Sequence, residues 1–104
     1  MRITRHVERI LSVLLREPAE SRYGLEIAKE GGLPLGSIYP ILIRLEETGW
    51  VTSEWERMDD VVERRTPRRY YRLTAEGEQV AREVVLETRS YVRGLGNRPE
   101  LGKA

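Results

Sequence analysis

The sequence predicts a mainly α-helical domain that carries a two-stranded β wing and continues into one further helix. Three observations predict it. Apolar residues recur at helical spacing in three short segments before residue 49. Gly49 stops the third segment and is followed at once by the β-rich run Trp50-Val51-Thr52. A second β-rich run, Arg68 to Thr74, leads into a last segment with helical periodicity. Two short helices around a glycine-containing turn, then a glycine stop and a strand pair, is the order of a winged helix-turn-helix.

The first helix is expected from Thr4 to Arg16. Val7, Ile10, Leu11, Leu14 and Leu15 recur at i, i+3, i+4, i+7 and i+8, and Pro18 ends the run because a residue before proline is driven out of the helical region. Ser21 is the expected cap of a second helix, with Tyr23 and Ile27 on one inward line, Leu25 and Ala28 on the next, and Gly31-Gly32 as its stop. Leu33-Pro34-Leu35-Gly36 forms the turn. In the third helix Ser37 is the expected N-cap, so that Pro40 falls in the first turn, where amides have no internal partner and a missing one costs little. Ile38, Leu42 and Leu45 then form the inward stripe, leaving Tyr39, Pro40, Ile43 and Glu47 outside.

Trp50 to Arg57 and Arg68 to Thr74 read as antiparallel strands. In the first, Val51 and Trp55 share a face opposite Trp50, Thr52 and Glu54; in the second, Tyr71 and Leu73 oppose Tyr70 and Arg72. Met58 to Pro67, which contains no glycine, is too long for a tight hairpin and is expected to be a mobile wing tip. Thr74 is a good N-cap, with Glu76 and Glu78 in the first turn of the helix that follows. Along that helix Val80, Ala81, Val84, Val85, Thr88, Tyr91, Val92 and Leu95 recur every three or four residues, more apolar surface than a helix at the edge of so small a core needs. The surplus implies a partner helix, with Val80, Val84, Thr88, Tyr91, Val92 and Leu95 as the dimerisation positions. The expected division is 1–74 for the winged unit, 75–95 for the dimerisation helix and 96–104 for a disordered tail.

Composition narrows the function more by exclusion than by assignment. A chain of 104 residues, 39% hydrophobic, holds a core without staples, and with no cysteine it has neither a disulfide framework nor a thiolate metal site. No apolar run is long enough to span a bilayer, so a soluble, cytoplasmic protein is expected. The net charge of +1 is no argument for nucleic acid. Its distribution is more useful than the sum: between Arg57 and Arg72, Arg57, Arg64, Arg65, Arg68, Arg69 and Arg72 stand against Asp59, Asp60 and Glu63, so that segment is locally basic. Enzymatic readings fail for want of parts. His6 is the only histidine and lacks the companions of a triad or metal site, Asp59-Asp60 reads as a solvated turn rather than a cation site, and no glycine-rich phosphate loop follows a strand. No cofactor is expected.

Four blocks in order, Tyr23-Gly24-Leu25-Glu26-Ile27, Gly36 to Glu46, Gly49-Trp50-Val51 and Arg69 to Gly77, resemble the signature of PadR-type transcriptional regulators, over most of residues 7 to 77. The resemblance is to the short form with a single C-terminal dimerisation helix. It implies a dimeric, DNA-binding repressor on a pseudo-palindromic operator, and in some relatives a flat hydrophobic or phenolic ligand between the subunits. It also implies that Tyr39 and Pro40 face DNA and that Arg44 occupies a basic position, although Arg44 can instead pair with Glu47 or Glu26. Ser37 can offer its hydroxyl and the amides of a helix N-terminus to a phosphate. Arg64, Arg65, Arg68 and Arg69 are expected to line the wing and reach phosphates of an adjacent groove. Two departures stand out: Ile43 is apolar where relatives often carry a polar or basic residue, and Glu46-Glu47 place negative charge at the far end of the helix, which confines contact to its first turn. Trp50, Trp55 and Tyr91 are the candidate ligand-pocket residues, with plain core or interface packing as the alternative. The rival functions are a winged-helix protein-interaction module without DNA binding and a ligand-sequestering dimer.

Overall fold

The computed structural model describes residues 1–57 and 65–96, with side chains as far as Arg89. The order is α1 (Arg5–Arg16), β1 (Arg22–Tyr23), α2 (Gly24–Gly31), α3 (Leu35–Thr48), β2 (Val51–Trp55), β3 (Arg69–Leu73) and α4 (Ala75–Gly96). The expected tip from Met58 and the tail beyond Gly96 fall mostly outside the described residues.

α1 begins where its sequence says it should. Thr4 is the N-cap, and its Oγ1 accepts from the Val7 amide at 3.2 Å. Val7, Ile10, Leu11 and Leu14 are buried against α2, α3 and α4, and Arg9 donates to the Gly31 carbonyl at 3.0 Å, tying α1 to the end of α2. Leu15, expected in the stripe, is only half-buried, and Val13 is buried in its place.

The sheet has three strands, not two. β1, a two-residue strand, pairs antiparallel with β3 (Arg22 opposite Tyr71, Tyr23 opposite Tyr70), so β3 is central in the order β1-β3-β2. This changes the start of α2. Ser21 does not cap it; the chain stays extended through Tyr23, which is the N-cap, and the Tyr23 amide donates to Glu26 Oε1 at 3.1 Å. Leu25, expected inside, is exposed, while Ile27 and Ala28 are buried.

α3 starts at Leu35, three residues before the Ile38 start that a Ser37 cap would give. Pro34 is the N-cap, Ser37 is the third helical residue, and the Ser37 amide is already spent on the Pro34 carbonyl at 3.0 Å. Pro40 is thus the sixth helical residue, past the first turn. The inward stripe Ile38, Leu42 and Leu45 is fully buried. Gly49 closes α3 with φ 89, the left-handed cap, where the Gly49 and Trp50 amides donate to Glu46 and Leu45 carbonyls at 3.0 Å.

One corner joins α3, the sheet and α4. Thr74 Oγ1 donates to the Gly49 carbonyl at 2.6 Å and accepts from the Gly77 amide at 3.0 Å, while the Thr74 amide donates to the Trp50 carbonyl at 3.0 Å. Gly77 lies so close to Trp50 that a Cβ there would fall 1.8 Å from the Trp50 carbonyl oxygen. Trp50 precedes β2 rather than opening it, and packs partly buried against the core. Along the β2–β3 pair Val51 faces Leu73 and Ser53 faces Tyr71 on the core side. Trp55 shares their parity but projects beyond the core and is 62% exposed.

Candidate nucleic-acid interface

The outer face of α3 follows from its inner one. With Ile38, Leu42 and Leu45 held in the core, Tyr39, Pro40, Ile43, Arg44 and Glu47 are exposed. Tyr39 is 46% and Ile43 55% exposed, so the face is aromatic and apolar over its first turns, with one cation at Arg44.

Tyr39 is held by a slot that the motif Tyr23-Gly24 creates. A Cβ on Gly24 would lie 2.6 Å from the Tyr39 hydroxyl and 2.7 Å from Cζ. The absence of a side chain at the first residue of α2 therefore lets the phenol lie against that helix end. Sequence reading had Gly24 only as part of a resemblance; the signal for its role was the glycine in a helix start where any residue fits by backbone conformation.

Of the wing arginines, Arg65, Arg68 and Arg69 are each held by a neighbour. Arg65 makes a two-point ion pair with Glu56, Nη1 to Oε1 at 2.8 Å and Nη2 to Oε2 at 3.0 Å, and this bond holds the Glu56 carboxyl below its ordinary range. The Arg68 amide also donates to Glu56 Oε1 at 3.2 Å. The Arg68 guanidinium stacks 4.1 Å over the Tyr23 ring, which in turn meets Tyr70 edge-on at 5.6 Å. Cation–π stacking orients the guanidinium without neutralising it, so Arg68 keeps its charge for an anion. Arg69 lies 5.0 Å over the Trp55 ring and 3.8 Å from Glu46 Oε2. Arg64 lies outside the described residues.

Glu46 turns inward. Its two oxygens are each 2.8 Å from Ser53 Oγ, so this carboxylate braces α3 against the sheet instead of facing outward with Glu47. Beneath it, burial raises the Tyr71 phenol above its ordinary range. Arg44 has no carboxylate within ion-pair distance among the described residues, so neither Glu47 nor Glu26 claims it.

The two other expected groups are only partly assembled. Val80 and Val84 are partly buried against the chain's own core, and Thr88 is exposed. Val84 and Thr88, with Ile3, Thr4 and Glu8, line an open groove of about 620 Å³ between α1 and α4. Tyr91, Val92 and Leu95 are helical, with side chains outside the described set. Leu86, which the sequence reading passed over, is 66% exposed on the same helix. Within the chain Trp50 and Trp55 stand apart: Trp50 just precedes β2 and Trp55 ends it, about 16 Å away at the rise of an extended strand. Among the described residues no three histidine, aspartate or glutamate side chains group as metal ligands, and no helix is long and apolar enough to cross a membrane.

The fold is similar to that of several solved regulators. The chain superposes with a TM-score of 0.69 on the MarR family transcriptional regulator SPO1453 from Silicibacter pomeroyi DSS-3, at 19% identity, covering 94% of this chain and 63% of that one. It matches NadR in complex with 4-hydroxyphenylacetate at 25% identity and a TM-score of 0.69, covering 98% of this chain and 66% of NadR. A putative DNA-binding protein from Ralstonia eutropha JMP134 is similar at 23% identity and a TM-score of 0.60, with 80% and 98% covered. The chain thus spans a little under two thirds of the length of the first two. No protein of curated function matches it in sequence. Residues 10–83 match the transcriptional regulator PadR-like family, a span that runs from the second half of α1 to the first turns of α4, and the chain belongs to that family of winged-helix transcriptional regulators.

Proposed function

We propose that this regulator is a cytoplasmic, sequence-specific DNA-binding repressor that acts as a homodimer on a pseudo-palindromic operator. The observation that carries the reading is α3 itself: a helix fully buried along Ile38, Leu42 and Leu45 that exposes Tyr39, Pro40 and Arg44 beside a wing whose Arg68 is held, still charged, on an aromatic ring. Tyr39 and Pro40 meet base edges and sugar in the major groove, while Ser37, Arg44, Arg68 and Arg69 meet phosphates. Arg65 acts chiefly through Glu56, by shaping the wing. Dimerisation through α4 sets two copies of α3 about 34 Å apart, one helical turn of DNA.

Relief by a small aromatic ligand is supported by the likeness to NadR, which was solved with 4-hydroxyphenylacetate. A ligand between subunits would act by favouring a dimer whose α3 spacing no longer fits the operator. The second reading, a protein-interaction module, is favoured by the exposure of Leu35 and Ile43 on α3.

Selection of bound genomic fragments by the purified protein tests the choice. A recurring inverted repeat is expected, with Tyr39→Ala weakening affinity and blurring base preference while Arg68→Ala weakens all sequences alike. No enriched motif would favour the interaction module, and two variants that bind as the parent does would overturn the roles given to Tyr39 and Arg68.

A further inference from the structure

The flank of α3 turned away from the sheet carries cations that the wing does not account for. Arg44 follows Pro40 by one turn on α3, and from there a recess of about 560 Å³ runs to the N-terminal segment, lined by Met1, Arg2, Arg5, His6, Ile41 and Arg44 among others. No acidic side chain lines it. Arg2, Arg5 and Arg44 are all exposed, and among the described residues none has a carboxylate within ion-pair distance. The nearest acid in sequence to Arg44 is Glu46, which is engaged with Ser53 and Arg69 on the opposite flank; Glu47 is exposed on the outer face. Arg5 also borders the α1–α4 groove, where Glu8 and Glu87 stand, without pairing to either.

Three unpaired guanidinium groups around one recess repel one another unless an anion lies between them, and arginine binds phosphate oxygens in a two-point geometry. The Met1 segment is seated against α3, with Thr48 Oγ1 3.7 Å from the Met1 sulfur, so the cluster moves with the helix that carries Tyr39. A duplex seated on the outer face of α3 has a phosphate strand on each side of the groove. The wing serves the sheet side. We propose that Arg2, Arg5 and Arg44 form a second backbone-phosphate contact for duplex DNA, on the flank of α3 opposite the wing. It rests on the DNA-binding reading above, and adds to it a grip that carries affinity without base preference. The continuity of Pro40 with Arg44 along one line of the helix joins this grip to the base-reading turn.

The test is the salt dependence of operator binding by the full chain for Arg2→Gln, Arg5→Gln, Arg44→Gln and the triple variant, with Arg16→Gln, at the far end of α1, as a control for lost charge. Each neutralised contact is expected to reduce the slope of log affinity against log salt by about 0.9 and to weaken binding about fivefold near 0.15 M salt, per subunit. Base preference should be unchanged, and the triple variant should lose protection of backbone positions in a hydroxyl-radical footprint. Slopes and affinities equal to those of Arg16→Gln, with Tyr39→Ala still losing binding, would overturn the second contact and leave the DNA reading in place. A parent protein that shows no salt-dependent DNA binding would overturn both.

Discussion

The residues that matter most for the interface are held by neighbours rather than by their own preferences. Tyr39 is half-exposed, and what directs it is the bare backbone of Gly24. Gly24→Ala should therefore push the phenol out of its slot. Because the ring can swing into solvent, the expected stability loss is only about 1 kcal/mol, within the ordinary range for single substitutions, while operator affinity falls several-fold. Thermal melts and binding titrations on the same variant separate the two effects. Glu56 gives a second residue-scale prediction. Its pKa is lowered from 4.5, first by the hydrogen bond from Arg65, against a smaller opposing effect of burial. A depressed carboxylate pKa stabilises the fold above the unfolded value, and that stabilisation is lost as pH falls through the folded one. The Arg68 amide, which donates to Glu56, should therefore titrate by NMR with a midpoint below 4.5, and Glu56→Gln should abolish that step. None of these pairings was legible in the sequence. A run of arginines between strands reads as free charge, and only the fold shows Glu56 answering Arg65, Glu46 turned toward Arg69, and Tyr23 under Arg68.

At the scale of elements, the sequence was most legible where a local rule decides the structure. Thr4, Gly49 and Thr74 punctuate helices by side-chain caps and a left-handed backbone, and alternation in Arg69–Leu73 follows the pleat. It was least legible where a distant partner decides. Arg22–Tyr23 is a strand only because β3 pairs with it, and that pairing moves the start of α2 from Ser21 to Tyr23. The start of α3 moved for a local reason that the pattern hid: Pro34 is extended at ψ 135, as a helix-preceding residue can be, and Leu35 is already helical although its side chain stays 46% exposed. The junction of α3, β2 and α4 is the element-scale feature with the sharpest consequence. A Cβ at Gly77 would meet backbone, not a side chain that can step aside. Gly77→Ala should cost about 1–3 kcal/mol or more, as strained small-to-large core changes do. Urea unfolding checks this; a loss under 0.5 kcal/mol would mean that α4 docks with more latitude than the Thr74 bonds indicate.

For the whole molecule, function rests on an asymmetry between two surfaces of one small unit. α1, α2, the inner face of α3 and the start of α4 share a single apolar core, from Val7 and Ile10 through Ile38 and Leu42 to Ala81. That core fixes the outer face of α3 relative to the wing on one side and to Arg2, Arg5 and Arg44 on the other. Past Val84, which still packs on the core, α4 carries Leu86 exposed, on the surface a second subunit would cover in the proposed dimer. In the sequence α4 carries a surplus of apolar positions, of which Val80 and Val84 pack on the chain's own core, and the helix-turn-helix is legible as stripes and stops; which cations stay unpaired is not, because that depends on contacts between residues far apart in the chain. The most direct measurement is the affinity of the parent protein for its best selected duplex as salt is raised, with the mass of the complex recorded at each point. Two subunits per inverted repeat are expected, with an affinity that falls steeply, at a log–log slope on the order of −5 or steeper. Binding that ignores salt, or a single subunit on the repeat, would contradict it.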